Sequence, residues 1–274
     1  MRAEAVSLSP VSLRRPVPFA SQPLWSGDLL RAWRGGDAAG ASREYAPGDG
    51  GVDVPLVVKL LDIGDRLSVQ VHPDDASARD AGVGPHGKSE GWVVLAAGEG
   101  ARVAFGVAAP LTRAELRAHV EAGTVGDALR WVPVRPGDVY SLPAGTVHAA
   151  RGPVLLYEVQ RPCDVTWRLH DWGRGRALAV ERGVGAARLL PEPAPAPPVA
   201  LPGGGVRLLR TEWGCVDARE APARWVSPRA EVLTVVEGVV EAEGERLPRG
   251  CTFTLPAGPR VLEGHGRVLV ASAP

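Results

Sequence analysis

Turn-forming residues are spread through this chain too densely for long helices. The 274 residues include 34 glycines and 26 prolines, many of them set between short apolar runs. Proline lacks an amide donor and fixes its own φ, and glycine adopts the positive φ that tight turns require. Chains punctuated in this way form short strands joined by turns, so the fold class expected is all-β.

The runs themselves have strand character. Val54 to Leu61 is apolar, Ile63-Gly64-Asp65 turns, and Leu67 to His72 alternates apolar with polar, the period of a half-buried strand. Trp92–Ala97 and Arg102–Gly106 read as a pair of strands around Gly98-Glu99-Gly100, and residues 131–160 return to strands. One helix is predicted. Thr112 and Glu115 form a capping-box pattern ahead of Leu116 and Val120, and the run ends near Gly123.

Residues 190–205, LPEPAPAPPVALPGGG, build neither a helix nor an interior strand and read as a linker. On either side of it a faint repeat is visible. RPGDVYSLPAGTVH at 135–148 matches PRGCTFTLPAGPRV at 248–261, with Val261 standing where the first copy has His148. Two copies of a short-stranded unit predict two related β-barrels or jelly rolls.

Formal net charge is zero, which excludes the basic surplus of a nucleic-acid binder. No membrane span or secretory leader is read in the sequence, including Met1–Leu24. The three cysteines, Cys163, Cys215 and Cys251, form no CxxC pair. A cytoplasmic, reducing location is expected.

Four side chains suggest chemistry. Gln70 and His72 lie two apart on one strand and share a face. Glu90 precedes the strand starting at Trp92, and His148 follows the Pro143–Gly145 turn. One amide oxygen, two imidazoles and a carboxylate suit zinc or a similar divalent ion. A lone strand histidine is more often a satisfied polar group, so the surrounding sequence decides the matter.

That sequence resembles the type I mannose-6-phosphate isomerases, in their short bacterial form within the cupin superfamily. The matching segments are LLDIGDRLSVQVHPDD (60–75), GKSEGW (87–92), RPGDVYSLPAGTVHA (135–149) and YEVQRPCDVTWRLHDWGR (157–174). The resemblance implies two cupin-type jelly-roll barrels with a small helical insertion. Residues 1–190 would form the metal-binding catalytic domain, 191–205 the linker, and 206–274 a degenerate, metal-free second unit. It places the metal ligands on Gln70, His72, Glu90 and His148, one Zn2+ per chain, and catalytic positions on Arg168, Glu158 and Lys88.

The implied reaction interconverts mannose 6-phosphate and fructose 6-phosphate through a cis-enediol. Glu158 is the first candidate proton shuttle, then Lys88, then His170. Arg168 is suited to a fixed cation, because an arginine does not give up its proton. Ser68, Lys88, His170 and Arg174 are the candidate substrate contacts, and Trp92 and Trp167 candidate walls of the sugar site. His86, His119 and His265 read as bland. The partner expected is a small sugar phosphate, with no nucleic acid or membrane, and the chain is expected as a monomer or weak homo-oligomer. Two other readings stay open: a non-catalytic sugar-phosphate-binding cupin acting as sensor or scaffold, and an iron-dependent cupin oxygenase. The sequence departs from the family near its N-terminus, where Trp25-Ser26-Gly27 and Trp33-Arg34-Gly35 replace the usual motifs.

Overall fold

The structure is a computed structural model that describes residues 13–17, 19–35, 42–45, 54–194 and 196–274. The reading of Met1–Leu24 falls largely on residues 1–12, outside the described residues. The chain divides into two compact units, one of Pro18–Ala46 with Pro55–Pro198, the other of Met1–Val17, Pro47–Val54 and Val199–Pro274. The described residues Leu13–Val17 therefore group with the C-terminal sheet, through an antiparallel bridge between Arg14 and Thr254.

The larger unit is built from two antiparallel sheets. The first runs β1 (Phe19–Ser21), β2 (Ser42–Tyr45), β3 (Val57–Ile63), β10 (Val154–Gln160), β5 (Glu90–Ala97), β8 (Val139–Leu142). The second runs β11 (Trp167–His170), β4 (Val69–Val71), β9 (His148–Arg151), β6 (Arg102–Val107), β7 (Leu129–Pro133). The sheets meet through Ile63, Trp92, Val94, Leu142 and Leu156 on one side and Val103, Phe105 and Ala150 on the other. The expected β5–β6 pairing does not form. β5 pairs with β10 and β8, β6 with β9 and β7, and the Gly98-Glu99-Gly100 turn crosses between the layers. Local alternation identifies a strand but carries no information about its neighbour.

The other face of the second sheet is covered by helices. Val69, Val71, Ala149, Trp167 and Leu169 pack on Leu116 and Val120 of α3 (Arg113–Glu121) and on Val184 of α4 (Val180–Ala186). α3 begins with the capping box anticipated at Thr112 and Glu115. α1 (Leu29–Arg34), α2 (Asp75–Asp80) and α4 were not foreseen. Each is short, and α4 is glycine-rich, which disguises it. Gly183 explains the composition: a Cβ there would lie 2.6 Å from Leu169 Cδ2, so only glycine lets the helix approach the sheet so closely. Leu116 is fully buried at this contact. Leu116→Ala is expected to lower unfolding stability by about 2–5 kcal/mol in a denaturant titration.

The smaller unit is a second all-β body. Its strands are β12 (Val199–Ala200), β13 (Val206–Arg210), β14 (Cys215–Ser227), β15 (Glu231–Ala242), β16 (Glu245–Pro248), β17 (Thr252–Leu255) and β18 (Gly258–Ser272). They order as β12-β13-β14-β18-β15-β16, with β17 on β15. Leu233, Val235, Phe253, Leu262, Val268 and Val270 form its core. Among the described residues no helix is long and apolar enough to cross a membrane.

Candidate metal centre and active-site cleft

Strand pairing brings the site together. On β11-β4-β9, Arg168 stands opposite Gln70 and Gln70 opposite His148. Val69 and Val71 point to the helices, so the alternating positions Gln70 and His72 point between the sheets. Glu90 arrives from the opposing layer, at the start of β5. Gly145 makes the turn that delivers His148. Its φ is +85°, its amide donates to the His72 carbonyl at 2.9 Å, and a Cβ would lie 2.7 Å from the Ala186 oxygen.

The two histidines are held in one ring orientation. His72 Nδ1 lies 2.8 Å from the Val165 carbonyl and His148 Nδ1 2.8 Å from that of Thr146. A carbonyl only accepts, so each Nδ1 carries the proton and each Nε2 presents a lone pair. Both Nε2 atoms face Glu90, at 3.4 Å for His72 and 3.2 Å for His148. His72 Nε2 and both Glu90 carboxylate oxygens are buried without a hydrogen-bond partner. Buried polar atoms are seldom left so. The ligand atoms of His72, Glu90 and His148 lie within 4.8 Å of one another. Gln70 joins them, its Nε2 3.1 Å from His148 Nε2, while its Oε1 accepts from Ser68 Oγ at 3.2 Å. A half-turn of this amide exchanges its two ends. Converging lone pairs, backbone-fixed rings and orphaned oxygens fit a divalent cation.

Electrostatics around this cluster are strong. Burial, reinforced by the Lys88 charge, pushes the His72 imidazole down to about 3, so it stays neutral. Burial opposes charge on Glu90, but the neighbouring Lys88 ammonium works against it, and the carboxyl is held well below its usual range. Lys88 Nζ lies 3.2 Å from Glu90 Oε2, and despite burial the two carboxylates Glu90 and Glu158 raise its pKa. Glu158 moves the other way: burial and then the Glu90 charge raise it. Its Oε2 accepts from Trp92 Nε1 at 2.8 Å, and its Oε1 lies 3.8 Å from Lys59 Nζ.

A cleft of about 140 Å³ opens beside the cluster, lined by Ser68, Gln70, Lys88, Glu158 and Arg168, with Lys59, Asp164, Thr166, Arg176 and Trp25 completing it. His170 and Arg174 do not line it. A register shift after Arg168 turns His170 onto Trp172, with ring centroids 4.8 Å apart. Arg174 donates to the Arg66 carbonyl and to Asp171 at 2.7 and 3.1 Å. Arg176, two residues on, takes the cleft position while also gripping Asp171. Trp92 is wholly buried and orients Glu158, and Trp167 packs under the helices, so neither walls the cleft. Lys59 was legible in principle, as the one charge on the inward face of an apolar strand, directly opposite Glu158.

No family model matches the chain. Over 136 residues it is 40% identical to a mannose-6-phosphate isomerase of Streptococcus mutans, and the match spans 47% of this chain and 42% of that protein. The chain thus spans less than half the length of this curated relative in the matched segment. The crystal structure of a mannose 6-phosphate isomerase from Bacillus subtilis superposes with a TM-score of 0.82 over 95% of this chain and 99% of that one, at 23% identity.

The chain has the mannose-6-phosphate isomerase fold.

A further mannose 6-phosphate isomerase structure, bound with zinc and yttrium, has a TM-score of 0.73 at 15% identity, covering 96% of this chain and 99% of the other. Among the described residues, His72, Glu90 and His148 form a group of side chains able to hold a metal ion.

Proposed function

We propose that the chain is a zinc-dependent aldose–ketose isomerase that interconverts mannose 6-phosphate and fructose 6-phosphate. The observation that carries this reading is the arrangement around Glu90: two neutral histidines with Nδ1 tied to backbone carbonyls, their Nε2 atoms aimed at one buried carboxylate, beside a second carboxylate in a cation-lined cleft. The curated relative named for this activity and the relative bound with zinc support the same reading.

Gln70, His72, Glu90 and His148 would hold the ion, which when bound supplies Lewis-acid stabilisation of charge on the sugar oxygens. The chain's own residues supply the rest. Glu158 is the base: its raised pKa brings it nearer neutrality, its carboxylate removes the C2 proton and returns it to C1, and the C2 hydroxyl proton passes to the adjacent O1 of the cis-enediolate. Trp92 fixes the carboxylate through its indole N–H. Lys88, held cationic by its acidic neighbours, stabilises the enediolate and moves no proton of its own. Arg168 and Arg176 hold the phosphate as fixed cations, with Ser68 at the cleft wall. The three free cysteines suit a cytoplasmic enzyme.

Zinc-loaded protein is expected to turn over mannose 6-phosphate to fructose 6-phosphate in a coupled assay, and a chelator to abolish the activity with recovery on adding zinc. Saturable binding of mannose 6-phosphate with no turnover in the zinc-loaded protein would instead make the chain a sensor.

A further inference from the structure

The two Leu-Pro-Ala-Gly segments deliver different residues to their barrel interiors. His148, in the first, is 1% exposed; Val261, its counterpart in the repeat, is 43% exposed, while Arg260 beside it is 2% exposed. An offset of one residue in a strand exchanges its faces. The smaller unit therefore turns an arginine inward at the end of its Leu-Pro-Ala-Gly segment, where the larger unit turns a histidine inward. Arg260 donates through Nε to Glu231 Oε2 at 3.1 Å and through Nη2 to the Leu255 carbonyl at 3.3 Å.

A cavity of about 430 Å³ opens above this pair, lined by Arg207, Arg210, Arg219, Trp225 and Arg229 among others. Arg219 and Asp217 stand opposite Val268 and Val270, both core residues, so they share the interior face. The side-chain carboxylates of the cavity are already matched. Asp217 accepts from Arg207 at 2.8 Å, and Glu231 from Arg260. Three guanidinium groups remain. Arg219 is 8% exposed, lies 4.6 Å from the Trp225 ring, donates to the Gly204 carbonyl at 2.8 Å, and keeps a buried Nε without a partner. Arg229 donates to the Ala273 carbonyl, and neither it nor Arg210 is ion-paired with a carboxylate among the described residues. A buried guanidinium with an unmet donor is costly unless an anion meets it.

We infer that this cavity of the C-terminal sheet binds a small phosphate-bearing molecule, its phosphate seated among Arg210, Arg219 and Arg229. Planar forked donors match phosphate oxygens in pairs. The cavity falls within the usual range of about 300–1,000 Å³ for small-molecule sites, with room for more than the phosphate itself. This site is independent of the proposed reaction and lies wholly within the smaller unit.

Calorimetric titration of inorganic phosphate into the full chain tests it, using the R168L/R176L protein to remove the cleft cations. Saturable binding at one site per chain is expected, weakening as salt rises. Adding R219L should weaken it at least tenfold. Adding R210S/R229S instead, at exposed positions that leave the core intact, should do the same. In an otherwise unaltered chain, R210S/R229S should leave isomerase turnover unchanged. No saturable heat in the R168L/R176L protein, or equal affinity with and without R210S/R229S, overturns the assignment.

Discussion

Glu158→Gln should reduce kcat by about 10²–10⁴-fold, the usual contribution of a positioned acid–base group, with zinc content and KM close to those of the parent protein. The substitution keeps the shape of the side chain, and the amide oxygen still accepts from Trp92 Nε1. What it removes is the basicity that burial and Glu90 have increased. Steady-state kinetics combined with metal analysis by atomic absorption separate this role from a structural one. Parallel loss of zinc and turnover would make Glu158 a support for the metal cluster; retained turnover would pass the proton-transfer role to another group.

The second large effect concerns Glu90. Glu90→Gln removes the charge toward which both histidine Nε2 atoms point and leaves the Lys88 ammonium, 5% exposed, without its nearest counter-ion. Breaking one side of such a buried pair costs about 3–5 kcal/mol, and that loss is expected in denaturant unfolding together with loss of bound zinc. The double variant K88M/E90Q distinguishes the two consequences. With the orphaned cation gone, most of the stability should return, while zinc binding should not. A double variant no more stable than E90Q alone would show that Lys88 contributes little to the cost.

Much of this site was legible because the decisive information is local. Gln70 and His72 share a face by strand alternation alone, and Thr112 with Glu115 announces α3. The all-β class follows from the spacing of glycine and proline. What escaped depends on partners remote in sequence. The β5 and β6 strands were found, but not the fact that they belong to different layers. A register shift between Arg168 and His170 moved one residue out of the cleft, and no alternation pattern foretells it. Arg174 and Arg176 are equivalent in sequence and both grip Asp171; the bond of Arg174 to the Arg66 carbonyl keeps it aside, while Arg176 lines the cleft. Val261 drew notice as the counterpart of His148, whereas the chain turned its neighbour inward.

Because Gln70, His72 and His148 come from one sheet of the larger unit and Glu90 from the other, a cation held by the proposed centre would fasten the two sheets to each other. Occupancy and folding are then thermodynamically linked: at a free zinc concentration 100 times its dissociation constant, the folded form gains about 2.7 kcal/mol. The melting temperature of the wild-type chain should therefore climb with free zinc, giving a readout of the centre that needs no substrate.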